Sequence, residues 1–298
     1  DQWVNNYLNV ARQEGDGLNR YFSRIPNDPS DYDYTYWVLE YEAVDEGFVS
    51  HIVLNRLKTL LAKIIFADHL WKHRPSSTSM PRVRWSRLRE PYMMLTFQNG
   101  SFRTLSIRDY DYRQPEAISW QNEEMRETFE SIPDFSESLS GLESDANDAL
   151  RAYLSGMTET DVHDSFFAFW RGVEILSQKS QNENTETAKD RADFAQEFVA
   201  PEMIREDIYN DVLSDFKDIR NDIAHEGYSR TTEYHQTYVK ILLDSLLSLY
   251  FDFLDDFDKQ EMEFLLKYGA TSVEGKEELR TQNEKRRRVI DFISQETT

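Results

Sequence analysis

Along the first two dozen residues Trp3, Val4, Tyr7, Leu8, Ala11, Leu18, Tyr21 and Phe22 recur at helical spacing, and Pro26 and Pro29 then interrupt the pattern. The stretch from Tyr32 to Val44 is rich in Tyr, Trp and Val, which predicts a strand. From Gly47 to about His73 the apolar positions Ile52, Leu57, Leu60, Leu61, Ile64, Ile65 and Leu70 predict an amphipathic helix. A Ser- and Pro-rich loop, Pro75 to Pro81, leads into a β unit. In it Val83 and Trp85 face one side and Arg82 and Arg84 the other. Tyr92 to Gln98 and Ser101 to Ile107 flank Asn99-Gly100, a strong signal for a two-residue hairpin turn. Pro115 to about Ser144 reads as a polar, acidic connection with a helix around Ser119–Phe129. Beyond it the apolar spacing predicts helices over 145–156, 161–180, 186–199, 202–224, 231–256, 258–268 and 275–294. Thr160-Asp161 is a start signal for the second of these and Gly227 a stop signal for the fourth. The helix at 231–256 is apolar on nearly every side, which places it at the centre of a bundle or at a subunit interface.

These elements define an α+β chain: a mixed α/β domain over 1–115, an acidic connection over 116–144, and an all-α bundle with C-terminal extension helices over 145–298. No internal repeat is present. At 298 residues, with 39% hydrophobic and 13% aromatic positions, the chain can build a sizeable core. The absence of Cys removes a disulfide framework, a thiolate zinc site and a cysteine nucleophile together. The longest apolar run, Ile241 to Phe251, is broken by Asp244, so no stretch is read as spanning a bilayer. The first residues show no basic region followed by an apolar segment, and the chain opens on Asp rather than Met, as a processed product or a fragment would. The expectation is a soluble, cytoplasmic protein with no membrane contact.

Charge adds a contrast. The net charge is −21, yet the window from His51 to Arg113 holds twelve cations against four acids, a local +8 that leaves −29 on the remainder. Such an island either holds a polyanion or docks against the acidic body. Within it Arg82, Arg84, Arg87 and Arg89 are the candidate RNA contacts. The acidity also fits a salt-adapted host, although alanine is not abundant. Lys285-Arg286-Arg287-Arg288 falls late in the last expected helix, where cations favour the helix dipole; an RNA-contact patch is the other reading.

The most informative string is Asp218-Ile219-Arg220-Asn221-Asp222-Ile223-Ala224-His225-Glu226-Gly227, which holds an R-N-x-x-x-H pattern at a helix end. Asn221 and His225 are four apart and share a face, and Arg220 lies beside it with a side chain long enough to swing over. A guanidinium offers a planar fork for phosphate oxygens. An imidazole moves protons near neutrality. An Asn can fix the imidazole tautomer or hold a phosphate. Together they suit cleavage of RNA by its own 2′-hydroxyl, a reaction that requires no metal. One imidazole cannot easily act on both sides of phosphorus, so the chemistry predicts a homodimer that brings a second copy into the site. The spacing alone is equally that of a helix end capped by cations. Arg230 and His235 repeat the R-x-x-x-x-H spacing without the Asn, and are read as a chance match on a solvated helix face.

Other polar residues have two readings each. Glu174 stands in an apolar helix among Trp170, Val173, Ile175 and Leu176, where it either orients the Arg or His or bonds elsewhere in the core. Asp222 and Glu226 flank the motif, as supporting groups or as solvated acids. His69 and His73 have a metal-compatible spacing next to Asp68, but no third ligand is evident, and no metal or other cofactor is expected. No P-loop, G-x-G-x-x-G, G-x-S-x-G or H-E-x-x-H occurs.

The string from Asp218 to Gly227, its place late in a bundle, and the earlier aromatic helix from Asp164 to Leu176 together resemble the HEPN superfamily, and within it the Apea-like branch. The resemblance covers roughly residues 145–256 and leaves the N-terminal region untouched. It implies a helical bundle that dimerises and often acts as a metal-independent endoribonuclease in toxin systems, anti-phage defence or RNA processing. Carried onto this chain, Arg220 and His225 would be the catalytic pair and Asn221 their polar support. Some relatives carry a Tyr two residues after the His that a partner enzyme modifies; here that position is Gly227 and the tyrosine is Tyr228, a departure from the pattern. Others serve only as dimerisation or ligand-binding modules. The expectation is therefore a ribonuclease acting on tRNA or another structured RNA, with a possible regulatory or defence-complex partner protein. The alternative is a non-catalytic HEPN-like module.

Overall fold

The computed structural model describes residues 2–15, 40, 42, 45–70, 93–107, 123–135, 141–177, 185–201, 206–226 and 230–296. The expected strand at Tyr32–Val44 falls almost wholly outside these residues; the loop at Pro75–Pro81 and the segment carrying Arg82, Arg84, Arg87 and Arg89 lie entirely outside them. The described chain is mostly helical with one two-stranded antiparallel sheet. It divides into two units, Asp1–Lys58 with Arg89–Pro115, and Thr59–Leu88 with Glu116–Thr298.

In the first unit α1 (Gln2–Glu14) lies on the hairpin of β1 (Met93–Gln98) and β2 (Ser101–Ile107). Leu8 and Ala11 are buried against Leu95, Phe97 and Phe102, and the Tyr7 ring meets Phe97 edge-on at 4.7 Å. The Phe102 backbone N–H donates to the Glu14 carboxylate at 2.8 Å, tying the last turn of α1 to β2. Asn99 and Gly100 both take positive φ, 52° and 82°, as the two central positions of a tight hairpin require. Helix α2 (Glu46–His69) begins after Asp45, whose carboxylate accepts from the Phe48 N–H at 2.8 Å.

The second unit takes in the rest of α2 from Thr59, so the division does not follow a single cut near residue 115. The reason lies in the side chains. Leu61, Ala62, Ile65 and Phe66 are buried, and Phe66 meets Tyr153 and Phe251 edge-on. Ile64 and Ala67 pack with Met125 of α3 (Glu123–Ser131). Lys63 donates to the Pro133 carbonyl and to Asp134 at 2.8 Å, which fixes the exit of that helix.

The bundle continues as α4 (Gly141–Thr158), α5 (Val162–Leu176), α6 (Thr185–Val199), α7 (Glu206–Glu226), α8 (Glu233–Phe253), α9 (Lys259–Gly269) and α10 (Val273–Glu296). Each overlaps a helix expected from the apolar spacing. Asp161 caps α5 by accepting from the backbone N–H groups of His163 and Asp164, as its sequence position predicts. Helix α5 is described to Leu176, residues 178–180 of the expected helix lie outside the described residues, and side chains satisfy the carbonyls at this end. Tyr250 Oη donates to Leu176 O at 2.7 Å and the buried Arg191 donates to Ser177 O at 2.8 Å. Helix α7 ends at Glu226; Gly227 lies outside the described residues.

Helix α8 is the central element, buried on all sides from His235 to Leu247. It runs parallel to α5: Gln236 donates to Ser165, Gly172 faces Leu243, and Tyr250 reaches Leu176. Two expectations are overturned here. His235 is not on a solvated face: it is 8% exposed, its Nδ1 accepts from the Thr232 backbone N–H at 3.0 Å, and it closes the first turn of α8. Lys285 to Arg288 are not terminal either. Helix α10 runs on to Glu296 and has no basic residue in its last turn, so the dipole does not account for these cations.

Candidate functional site

The R-N-x-x-x-H string lies on α7, whose buried positions Tyr209, Val212, Leu213, Phe216 and Ile219 form one stripe at helical spacing. Phe216 sits edge-on to both Phe166 and Trp170 of α5, at 5.4 and 5.8 Å, locking the two helices together by aromatic contacts. Arg220 follows at the edge of this stripe. Asn221, Asp222 and Ile223 are half-buried, and His225 is exposed. The motif therefore begins where the buried face of α7 ends.

On α5 the buried apolar side chains are Phe166, Phe169, Trp170, Val173 and Leu176, with Glu174 half-buried at their margin. Arg220 Nη2 meets Glu174 Oε1 at 3.2 Å, and Arg220 Nη1 donates to Asn221 Oδ1 at 3.3 Å. Arg220 Nε is buried and makes no hydrogen bond. The charge of the guanidinium is thus balanced by Glu174, through an ion pair rather than a hydrogen bond, and one of its edges is hydrogen-bonded to Asn221. His225 stands four residues beyond Asn221 on the same helix face, and makes no hydrogen bond or ion pair with a described residue.

The structure therefore brings together Glu174, Arg220 and Asn221, and leaves the His225 ring open to solvent. Asp222 makes no hydrogen bond or ion pair with a described residue. Glu226 closes the helix, and Tyr228 lies outside the described residues, as do Arg82, Arg84, Arg87 and Arg89. Of the weak metal candidates, His69 is buried with its Nε2 3.4 Å from Asp68, and His73 lies outside the described residues. Among the described residues no group of three or more His, Cys, Asp or Glu is placed to hold a metal ion. Nor is any described helix long and apolar enough to cross a membrane.

Sequence reading passed over a second polar cluster, centred on α8. Lys240 and Asp244, 1% and 0% exposed, form an ion pair at 2.6 Å. The Lys240 ammonium also donates to the His69 carbonyl at 3.0 Å, capping the end of α2, and lies 5.4 Å from the centre of the Tyr153 ring. Burial lowers the Lys240 pKa, with Asp244 pulling the other way. Burial, then the Asp244 charge, hold the Tyr153 hydroxyl well above the ordinary phenol range. The i, i+4 spacing of Lys240 and Asp244 was the available signal. The cluster is sealed from solvent, so it serves the fold rather than a substrate.

Compared with family models, curated proteins and solved structures, the chain matches none.

Proposed function

We propose that the chain is a metal-independent endoribonuclease that cleaves tRNA or another structured RNA, working as a homodimer in a defence or toxin system. The observation that carries this reading is the arrangement of Arg220, oriented by Glu174 and Asn221, one turn from an exposed His225. The R-N-x-x-x-H resemblance supports it.

In the proposed reaction the ribose 2′-oxygen attacks the adjacent phosphorus and the bond to the 5′-oxygen breaks. One proton leaves the 2′-hydroxyl and one is delivered to the departing 5′-oxygen, giving a 2′,3′-cyclic phosphate and a 5′-hydroxyl. His225 carries one of these protons and the same histidine of a second copy the other. The Arg220 fork holds the phosphate oxygens as charge builds on them, and Asn221 steadies the fork.

One observation favours a second reading, a non-catalytic HEPN-like dimerisation or ligand-binding module: Glu174 already occupies one edge of the Arg220 guanidinium. The test is incubation of wild-type and His225→Ala protein with total tRNA in EDTA, followed by analysis of the new 3′ ends. Fragments ending in 2′,3′-cyclic phosphate from the wild type alone support the enzyme. Cleavage retained by a folded His225→Ala protein overturns the mechanism, and no turnover by either leaves the module reading.

A further inference from the structure

The cations of α10 remain unexplained by the helix dipole, and their placement is specific. A groove of about 440 Å³ opens between α9 and the stretch of α10 from Lys276 to Arg287, with Lys276, Arg280, Asn283 and Arg287 along one wall, Leu279 on the same helix, and Tyr268 from the last turn of α9. The four polar residues follow one another at i, i+4, i+7 and i+11, which puts them on one face over about 16 Å at the helical rise. Tyr268 has the Phe264 ring beside it at 5.6 Å, and Phe264 is 42% exposed. Lys276 is held over the Phe194 ring at 5.8 Å.

Charge sharpens the case. The chain carries 55 acids against 34 cations, so self-neutralisation of any cation is easily available. Yet Arg287, which lines the groove, is exposed and makes no ion pair with a described residue, and the same holds for Lys285, Arg286 and Arg288 outside it. The one acid in the groove, Glu284, meets Arg280 only at 3.7 Å, with both side chains largely in solvent, where such a pair is weak.

We propose that this groove binds single-stranded RNA: Lys276, Arg280 and Arg287 take phosphates along the strand, and the Tyr268 and Phe264 rings offer faces on which bases stack. Cation-lined grooves with aromatic platforms suit single strands because every base has a π face and the backbone charge is uniform. A duplex offers no unstacked base to such rings. The proposal deepens the ribonuclease reading and rests on it only for RNA as the biological ligand. Neither Arg220 nor His225 lines the groove, so its cations act on affinity rather than on chemistry.

The test measures binding of a labelled 12-nucleotide oligouridine to the full-length chain by fluorescence anisotropy across a salt series, with the oligouridine duplexed to oligoadenine as the control. Arg280→Gln with Arg287→Gln should weaken binding at least tenfold at low salt and flatten the dependence of log K on log salt by about 1.4, two contacts at about 0.7 each for a single strand. Tyr268→Ala should weaken binding and leave the slope unchanged. If the double variant binds as the wild type does, or if the duplex binds equally well, the proposal fails. If the double substitution changes the sedimentation of the protein instead of its RNA affinity, the groove is an interface between copies and the proposal is overturned. Groove-dependent binding of oligouridine together with no cleavage of total tRNA would count against the ribonuclease reading and leave this one standing. Cleavage with a KM unmoved by the double substitution would do the reverse.

Discussion

Glu174 of α5 and Arg220 of α7 stand 3.2 Å apart, each side chain about a quarter exposed, in an ion pair that joins two helices far apart in sequence. The pair lies one turn beyond the contacts of Phe216 with Phe166 and Trp170, so aromatic packing sets the spacing and the charges then meet. A guanidinium so placed has one edge turned to Glu174 and another to Asn221. In a partly screened setting such a pair contributes about 1 kcal/mol to stability, which is small beside its effect on where the fork points.

Glu174→Gln should therefore cost little stability and much activity. The amide keeps the shape and loses the charge that holds Arg220, and a misplacement of the fork by about 1 Å costs on the order of 100-fold in rate. The expected outcome is a lowered kcat for RNA cleavage with a melting temperature close to that of the wild type. A Gln variant with wild-type kcat would make Glu174 a purely structural partner.

His235 predicts a pH effect on stability. Its Nδ1 accepts from the Thr232 N–H, which needs the neutral ring, and burial lowers its pKa below the ordinary imidazole value. Around it stand Asp215, whose carboxylate at 3.6 Å from Nε2 favours the charged form without prevailing, the Thr232 hydroxyl at 2.9 Å and the Phe216 ring. The folded state thus binds this proton less readily than the unfolded chain. The contribution of His235 is complete above the ordinary imidazole pKa and is lost as pH falls through the lowered folded value. His235→Gln keeps an acceptor at the third helical position, as a capping box allows, and cannot titrate there. Urea unfolding at about pH 7.5 and about pH 5 should show the wild type losing stability relative to the Gln variant. An unchanged difference between the two proteins would remove His235 from the acid response.

Apolar periodicity made most of the helical elements legible, because a buried stripe such as Tyr209, Val212, Leu213, Phe216 and Ile219 leaves a 3.6-residue signature. The Asn99-Gly100 turn was legible for a different reason, since few other pairs accept positive φ at both positions. Arg220, Asn221 and Glu174 were legible as candidates, though which atoms of Arg220 meet which neighbour depends on the packing of α5 on α7. What sequence hid was the burial of polar groups. Asp244 reads as a break in an apolar run and His235 as part of a solvated face, because composition does not reveal that Lys240 or the Thr232 N–H waits beside them. The cations of α10 fall late in a helix whose extent the periodicity gave closely, but with eight residues still to follow they lie beyond the reach of its C-terminal dipole.

Gly172 and Gly156 mark where helices approach most closely. A Cβ on Gly172 would fall 2.8 Å from a Leu243 methyl, and one on Gly156 2.5 Å from the Phe169 ring. Alanine is the better helix former by about 1 kcal/mol. Each Gly→Ala substitution should nonetheless lower stability by about 1–3 kcal/mol through overpacking. Denaturant midpoints that rise instead of falling would show that Leu243 and Phe169 yield freely.

The Lys240–Asp244 pair gives the sharpest test of the core, because its two halves should not be additive. Both groups are sealed from water, and each is tolerated because the other is 2.6 Å away. Lys240→Met leaves Asp244 as a buried charge without its ammonium and also removes the donor to the His69 carbonyl at the end of α2. It should cost about 3–5 kcal/mol, and Asp244→Leu a similar amount by stranding the ammonium. The double variant replaces both charges with apolar groups of similar volume and should be more stable than either single variant, although the His69 carbonyl still loses its donor. Chemical denaturation of the four proteins closes the cycle. Additive losses would mean that water reaches the pair and that α8 is not the sealed centre of the bundle.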